Sequence, residues 1–376
     1  MATTCAQPKY TIKTPRNLSP RVQWLREYYF QGNQRAWNNE ATAWTTGTPW
    51  DFQYEELSFY IVPETYAFFP TFRGCFIQNA RPVTLDPAFW TWSLPERKAW
   101  FVREVMRNYL PHEILPGDLL AGSRFNVQTS TCLTKAEAKE YGRLVYGKGG
   151  TRQAVKWFHD HGYGNGGVTS GHLVPDYARV VQKGWKDIHA EIEANYAALS
   201  AKEKKAPKGN QLRAMRTSAT MARDVAAAYR QECLRLAEGE TDGTRRGELL
   251  QMAEVLSRVP WEPAQTFWEA LQSLWITHML IMSEENYPGP GVSFGRIDQY
   301  LYPMWQKSLA DGMDREFGKE LMKCFWVHAN TAYDAMIRTG GNQGITAGYG
   351  QLITVSGMGP DGVDLSNDLT YAILEV

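Results

Sequence analysis

The sequence predicts an α+β chain in which long helices dominate and strands are few and short. Two patterns carry that expectation. Apolar residues recur at helical spacing through most of residues 177–282, as they do in amphipathic helices that share a core. Glycine- and proline-rich stretches then frame one short β-prone run, Gln351-Leu352-Ile353-Thr354-Val355-Ser356, which reads as a strand. Composition adds a third observation. Of 376 residues, 43% are hydrophobic, 13% are aromatic and 14 are tryptophan, which argues for a packed core and against disorder.

Taken in order, residues 1–40 are polar and read as a peripheral arm with one helix near Val22–Tyr29. Residues 41–135 read as loop-rich, with Trp-bearing turns at Pro49-Trp50 and Asp86–Trp92. One helix is predicted there from Pro95 to Asn108, with Trp100, Val102 and Val105 inward. Ile114–Gly122 reads as a turn entering a short strand. Long helices with one charged face are predicted over Arg179–Leu199, Asn210–Glu238 and Thr244–Val259.

Trp261-Glu262-Pro263 predicts the opening of a further helix, because proline suits a first turn. That helix carries two apolar stripes: Phe267, Leu271, Leu274, His278 and Ile281 on one, Trp268, Trp275, Met279 and Met282 on the other. A helix apolar on two sides is buried. A helix from Glu316 to Ala335 and the glycine-rich stretch 340–350 follow. Near the end, Asp364 or Ser366 offers an N-cap to a helix carrying Leu369, Ala372, Ile373 and Val376. Its apolar face has only begun at the last residue, which reads as a chain cut short.

Charge narrows the function classes. Lys plus Arg number 40 and Asp plus Glu number 40, for a net charge of zero. No global basic excess is available to neutralise nucleic-acid phosphates or to hold an anionic membrane surface. No signal-peptide pattern opens the sequence, and no stretch reaches the roughly 20 apolar residues of a membrane span. The five cysteines are widely spaced, with no CxxC pair, which argues against a disulfide framework or a thiolate metal site. The expected compartment is a reducing cytoplasm.

Several local motifs invite sharper readings. His159-Asp160-His161 offers two imidazoles but no HExxH frame, so a polar surface turn is the better reading. Gly162-Tyr163-Gly164-Asn165-Gly166-Gly167 satisfies GxGxxG, yet a polar segment precedes it where a dinucleotide fold needs a hydrophobic strand. Gly147-Lys148-Gly149-Gly150-Thr151 lacks phosphate-loop spacing, and no GxSxG elbow occurs. Arg296 and Asp298 sit among aromatics and read as a buried pair anchoring the chain. His172 and Tyr349 read in isolation as a core histidine and a packed strand tyrosine.

The run Ser293-Phe294-Gly295-Arg296-Ile297-Asp298-Gln299-Tyr300-Leu301-Tyr302-Pro303 closely resembles a signature of the pyruvate formate-lyase superfamily of glycyl radical enzymes. Three more segments fall in that family's order: Gly171–Tyr177 with Val180, Val181 and Gly184; Phe267–Gln272; and Asp364–Tyr371. The resemblance covers residues 110–376 well and the first third loosely. It implies a ten-stranded barrel of two antiparallel half-barrels, surrounded by long helices. It also implies that residues 1–376 are the N-terminal portion of a catalytic domain whose Cys loop and C-terminal glycyl radical loop are absent.

The resemblance further implies the chemistry. A protein-based glycyl radical, installed by a radical-SAM activating enzyme, passes to a cysteine whose thiyl radical attacks the substrate. No bound cofactor and no metal are implied. None of the five cysteines stands in the family's G-C-x-E context, so no catalytic residue is nominated, and this piece alone is expected to be inactive. Dehydratase-like members carry a polar His-Ser where this chain has Pro290-Gly291, and a site for a hydroxylated substrate needs such donors. The stretches Asn330–Gln343 and Tyr349–Leu352 look most like the fumarate-adding branch.

That branch implies addition of toluene or a related hydrocarbon to fumarate, in an apolar cavity that excludes water. By matched position His172, Gly291 and Tyr349 are the expected cavity lining, while Ser293, Arg296, Asp298, Gln299 and Tyr300 are structural. Implied partners are the small-molecule substrates, the activating enzyme, small accessory subunits and a second catalytic subunit. Neither nucleic acid nor membrane is expected. The alternatives are an arylacetate decarboxylase or another lyase of the superfamily, and a non-catalytic helical binding protein.

Overall fold

The structure is a computed structural model that describes residues 18–26, 57–60, 80–109, 112–122, 127–128, 132–163, 173–284, 292–330 and 353–376. The first part is α1 (Pro20–Arg26), strands β1 (Leu57–Tyr60) and β2 (Ala80–Pro82), α2 (Leu94–Asn108) and strand β3 (Val127–Gln128). The three strands form a parallel sheet in the order β2-β1-β3. The sequence gives no sign of it, because strands of two to four residues are too short to display a period of two.

Helices α3 (Lys135–Tyr146) and α4 (Thr151–Asp160) follow. The His159-Asp160-His161 run is exposed, as expected, but it ends a helix instead of forming a separate turn: His159 lies in the last turn of α4 and His161 caps it. The His161 ring stacks on Trp157 with centroids 4.2 Å apart, and its Nδ1 lies 2.8 Å from the Trp157 carbonyl. No group of His, Cys, Asp and Glu that could hold a metal occurs among the described residues.

The helical expectations between 177 and 284 hold with small shifts of boundary. The elements are α5 (Tyr177–Ala197), α6 (Ala201–Lys204), α7 (Pro207–Gly239), α8 (Gly243–Arg258) and α9 (Phe267–Glu284). One start is wrong: α9 begins at Phe267, not at Trp261. The chain from Pro260 to Ala264 instead docks into a kink of α5 at Gly184, where φ is +76°. Trp185 and Lys186 donate to the carbonyls of Pro260 and Trp261 at 2.9 and 3.0 Å, and Ala264 donates to Val181 at 2.9 Å. A Cβ at Gly184 would stand 2.2 Å from the Trp261 carbonyl oxygen, so only glycine admits this approach.

Helix α9 joins two cores, as a helix apolar on two sides can, but the division differs from the expected stripes. Trp275 sides with Phe267, while Ile276 and Leu280, on neither stripe, side with Met279. Phe267, Leu271, Leu274 and Trp275 pack with the later helices, whereas Ile276, Met279 and Leu280 pack with α2, α7 and α8. The last part comprises α10 (Ile297–Tyr300), α11 (Tyr302–Ala310), α12 (Arg315–Asn330) and α13 (Asp368–Leu374). Asn367, rather than Asp364 or Ser366, caps α13 by accepting from Thr370 N at 3.0 Å.

Of the turn entering a short strand expected over Ile114–Gly122, the turn is present at Pro116-Gly117, but no strand forms up to Gly122, for a visible reason. The backbone there is satisfied by side chains of α9: Gln272 accepts from Ala121 N at 2.8 Å and donates to Ala121 O at 2.7 Å. The indoles of Trp268 and Trp275 donate to the carbonyls of Leu119 and Gly122. No described helix is long and apolar enough to cross a membrane.

Candidate functional site

Three distant segments meet at the signature. Leu173 forms a parallel bridge with Val292, and Ser293 N donates to Leu173 O at 3.0 Å. Four residues on, Arg296 bridges Thr354, again in parallel, and Thr354 N donates to Gly295 O at 3.0 Å. Of the expected strand 351–356, this bridge is the ordered pairing among the described residues. The signature thus runs between the segment that follows His172 and the segment that follows Tyr349. His172, Gly291 and Tyr349 themselves lie outside the described residues, as do the Asn330–Gln343 motif and the Tyr349–Leu352 motif, with Asn330 described only as the last residue of α12.

The ladder is locked by a polar clamp. Asp298 is fully buried, and its Oδ2 accepts from Ser356 N at 2.7 Å and from the Thr370 hydroxyl. Its own carbonyl accepts from Asn367 Nδ2 at 3.2 Å. Arg296 donates to Ser356 O at 2.5 Å, and Gln299 donates to Leu365 O at 2.9 Å. Ser356 has a left-handed φ of 63°, which points its amide at Asp298 and its carbonyl at Arg296. Such a conformation costs roughly 1–2 kcal/mol outside glycine, and the two charge-assisted bonds offset it.

Arg296 and Asp298 each hold a different group of the neighbouring segments and do not pair with each other, unlike the buried pair that the sequence suggests. Arg296 Nε and Asp298 Oδ1 are buried without a hydrogen-bond partner among the described residues. Ser293 takes a smaller part, its Oγ accepting from Gly295 N at 3.1 Å. Tyr300 donates to Phe294 O at 3.0 Å. Burial first, and the Asp298 charge second, push its phenol well above the usual value, so it stays a protonated donor.

Behind the signature stands a buried aromatic layer. Phe294 packs against His278 at 4.4 Å, Phe325 at 5.1 Å and Tyr177 at 6.0 Å between centroids. The Tyr177 hydroxyl lies 2.7 Å from His278 Nδ1. One helical turn away, Trp275 stacks on His328, whose Nε2 lies 2.8 Å from Asp118 Oδ2. The sequence reading treats His278 as one member of an apolar stripe and passes over His328 and Asp118. A histidine inside an otherwise apolar helical stripe is the available signal, since a buried imidazole needs a polar partner.

No described cysteine is a plausible nucleophile. Cys132, Cys233 and Cys324 are buried. Burial pushes the Cys233 thiol up to about 12 and the Cys324 thiol well above its usual value, and a protonated, inaccessible thiol is inert. The site built here aligns three chain segments and insulates them.

Comparisons with known proteins agree with this geometry. The family described as pyruvate formate lyase-like matches residues 163–376. Isethionate sulfite-lyase of Desulfovibrio desulfuricans is 37% identical over 241 residues, covering 60% of this chain and 25% of that protein. Indoleacetate decarboxylase of Tractidigestivibacter scatoligenes is 44% identical over 104 residues, covering 27% of this chain and 12% of that protein. A solved structure concerning 1,2-propanediol dehydration in Roseburia inulinivorans superposes with a TM-score of 0.67 at 21% identity, over 96% of this chain and 46% of that one. A glycyl radical enzyme from Archaeoglobus fulgidus superposes with a TM-score of 0.57 at 25% identity, over 75% of this chain and 41% of that one. The chain spans less than half the length of these relatives.

Proposed function

The chain belongs to the pyruvate formate lyase-like family, whose matched members here are glycyl radical lyases and dehydratases, and from that premise we propose that it is part of a fumarate-adding, benzylsuccinate synthase-like lyase. The observation that carries this reading is Pro290-Gly291, directly before the signature, in place of the polar pair that a hydroxylated substrate would need. The aromatic layer behind Phe294 supports it, since an apolar wall suits a hydrocarbon and keeps water from a radical. His172 and Gly291 adjoin two residues joined by the ladder, and Tyr349 precedes a third by five positions. On this reading they are the residues that line the substrate cavity.

In the whole catalytic subunit, a glycyl radical and its partner cysteine stand in residues beyond this chain, within the ten-stranded barrel. A radical-SAM enzyme installs the radical, and accessory subunits and a second catalytic subunit complete the assembly. A benzylic hydrogen moves to the thiyl sulfur, the benzylic carbon bonds to fumarate, and the hydrogen returns, so that nothing is lost from either substrate. A second reading, an arylacetate decarboxylase, is supported by the 44% identity to indoleacetate decarboxylase.

One experiment separates them. The full-length subunit is activated anaerobically and supplied with toluene plus fumarate, or with an arylacetate alone. An EPR doublet with formation of benzylsuccinate is expected. A doublet with carbon dioxide release from the arylacetate, and no adduct, selects the second reading. No doublet under competent activation removes both. Gly291→Ser should lower kcat/KM for the hydrocarbon about tenfold by placing a hydroxyl against an apolar substrate.

A further inference from the structure

Helices α2, α5, α7 and α9 enclose a cavity of about 520 Å³ that shares no residue with the signature clamp. Its inner walls are apolar and buried, with Val102, Ala222 and Leu280 among them. Its mouth is polar, formed by Gln211 and Ser218, with Met215 at the edge. That size, with apolar walls and a few polar groups, is typical of small-molecule sites. Ion pairs brace α2 against α7: Arg213 with Glu96 at 2.6 Å, and Arg103 with Asp224.

One polar group stands deep inside. Thr277 of α9 lines the cavity and is only 1% exposed. Its Oγ1 accepts the Trp185 indole N–H at 3.1 Å, but its own proton meets no acceptor among the described residues. A helical threonine commonly gives that proton to a carbonyl in the preceding turn. Thr217 and Thr220 of α7 do so, bonding to the carbonyls of Arg213 and Thr217. Thr277 makes no such bond. A buried donor left unused is costly, and the space that Thr277 borders is the cavity.

We propose that this cavity binds a neutral, largely apolar carbonyl compound, with its oxygen accepting from Thr277 and its body against Val102, Ala222 and Leu280. A carbonyl is the acceptor that fits, because an alcohol would bring a proton of its own into apolar walls. A carboxylate would exchange its hydration for a single hydroxyl, at a greater cost. Lys98 also lines the cavity but already has a partner within the protein, so it sets no ligand charge. Neither radical chemistry nor the identity of the lyase substrate enters this assignment.

The test follows the methionine methyls of the full-length subunit, before activation, by NMR. The Met215 and Met221 signals, assigned by Met215→Leu and Met221→Leu, should move together and saturably with propiophenone. Benzoate should move them least. Thr277→Val keeps the shape and removes the donor, and Trp185 loses its acceptor whichever ligand is bound. It should weaken propiophenone about fivefold, the scale of one neutral hydrogen bond, and propylbenzene less than about twofold. Should Thr277→Val fail to fold, the wild-type protein decides. The isotope-edited carbonyl stretch of propiophenone, read by infrared as the methyl shifts saturate, should lie below its value in hexane. Silence at both methyls, benzoate binding tighter than the ketone, equal weakening of ketone and hydrocarbon by Thr277→Val, or a stretch like that in hexane would overturn the proposal.

Discussion

Between α2 and α7 the buried contacts are almost all apolar, through Phe101, Val105, Val225 and Tyr229, whereas around Asp298 they are hydrogen bonds to one buried carboxylate. The difference matters because apolar packing is non-directional and tolerates exchange among side chains of similar volume. A buried carboxylate is directional, and removing it leaves each donor stranded. The helical region can therefore drift in sequence without moving, while the clamp fixes the register of three chain segments and tolerates little change.

The sharpest test of that contrast is Asp298→Ala. It removes two hydrogen bonds to a charged acceptor, so urea unfolding should show a loss of about 4 kcal/mol. A loss below about 1 kcal/mol would mean that the clamp is not what holds the ladder. Next comes Gly357→Ala, beside the clamp. Its φ is +94°, and an added Cβ would stand 3.3 Å from an Arg296 nitrogen; the expected cost is about 2 kcal/mol by the same measurement.

On the apolar side, Phe101→Leu should cost only about 1 kcal/mol because the core can close around a similar shape. A cost as large as that of Asp298→Ala would erase the distinction between the two regions.

The smallest effect lies at the edge of the helical region. Burial alone would raise the Glu96 carboxyl, but hydrogen bonds from Arg213 and Ser93 hold it below its ordinary value of 4.5. A depressed folded value means that the stabilisation is present above the unfolded value and lost as pH falls through the folded one. Wild type should therefore exceed Glu96→Gln by up to about 1 kcal/mol at neutral pH. In thermal melts that difference should shrink below about pH 4.5. A constant difference down to pH 3 would assign the effect to packing instead.

Which parts of this molecule are legible in its sequence follows from the range of the interactions. The periodicity over residues 177–284 predicts α5, α7, α8 and α9 to within a few residues at most of their ends, because an amphipathic helix writes its buried face locally. The start of α9 is misread since Pro263 suits a first turn equally well inside the docked segment at Gly184. Helices α3 and α4 escape notice because none of their residues is buried, and without a core-facing stripe the pattern looks like surface loop. At the site, the signature contains Arg296 and Asp298, but it does not show that each bonds to Ser356 rather than to the other. It cannot name Ser356 and Thr370, which Asp298 reaches across 58 and 72 residues.

By itself the sequence determined the helical class, the buried double-faced helix, the absence of a net basic excess and, through the eleven-residue run with three further segments in order, the family. Those properties depend on composition and on neighbours a few residues apart. The tertiary structure decided that Leu173, Val292–Arg296 and Thr354 lie side by side, that Asp298 locks them, and that α2, α5, α7 and α9 leave a walled cavity. Each of these rests on contacts between residues far apart in the chain, which only the folded backbone brings within hydrogen-bonding distance.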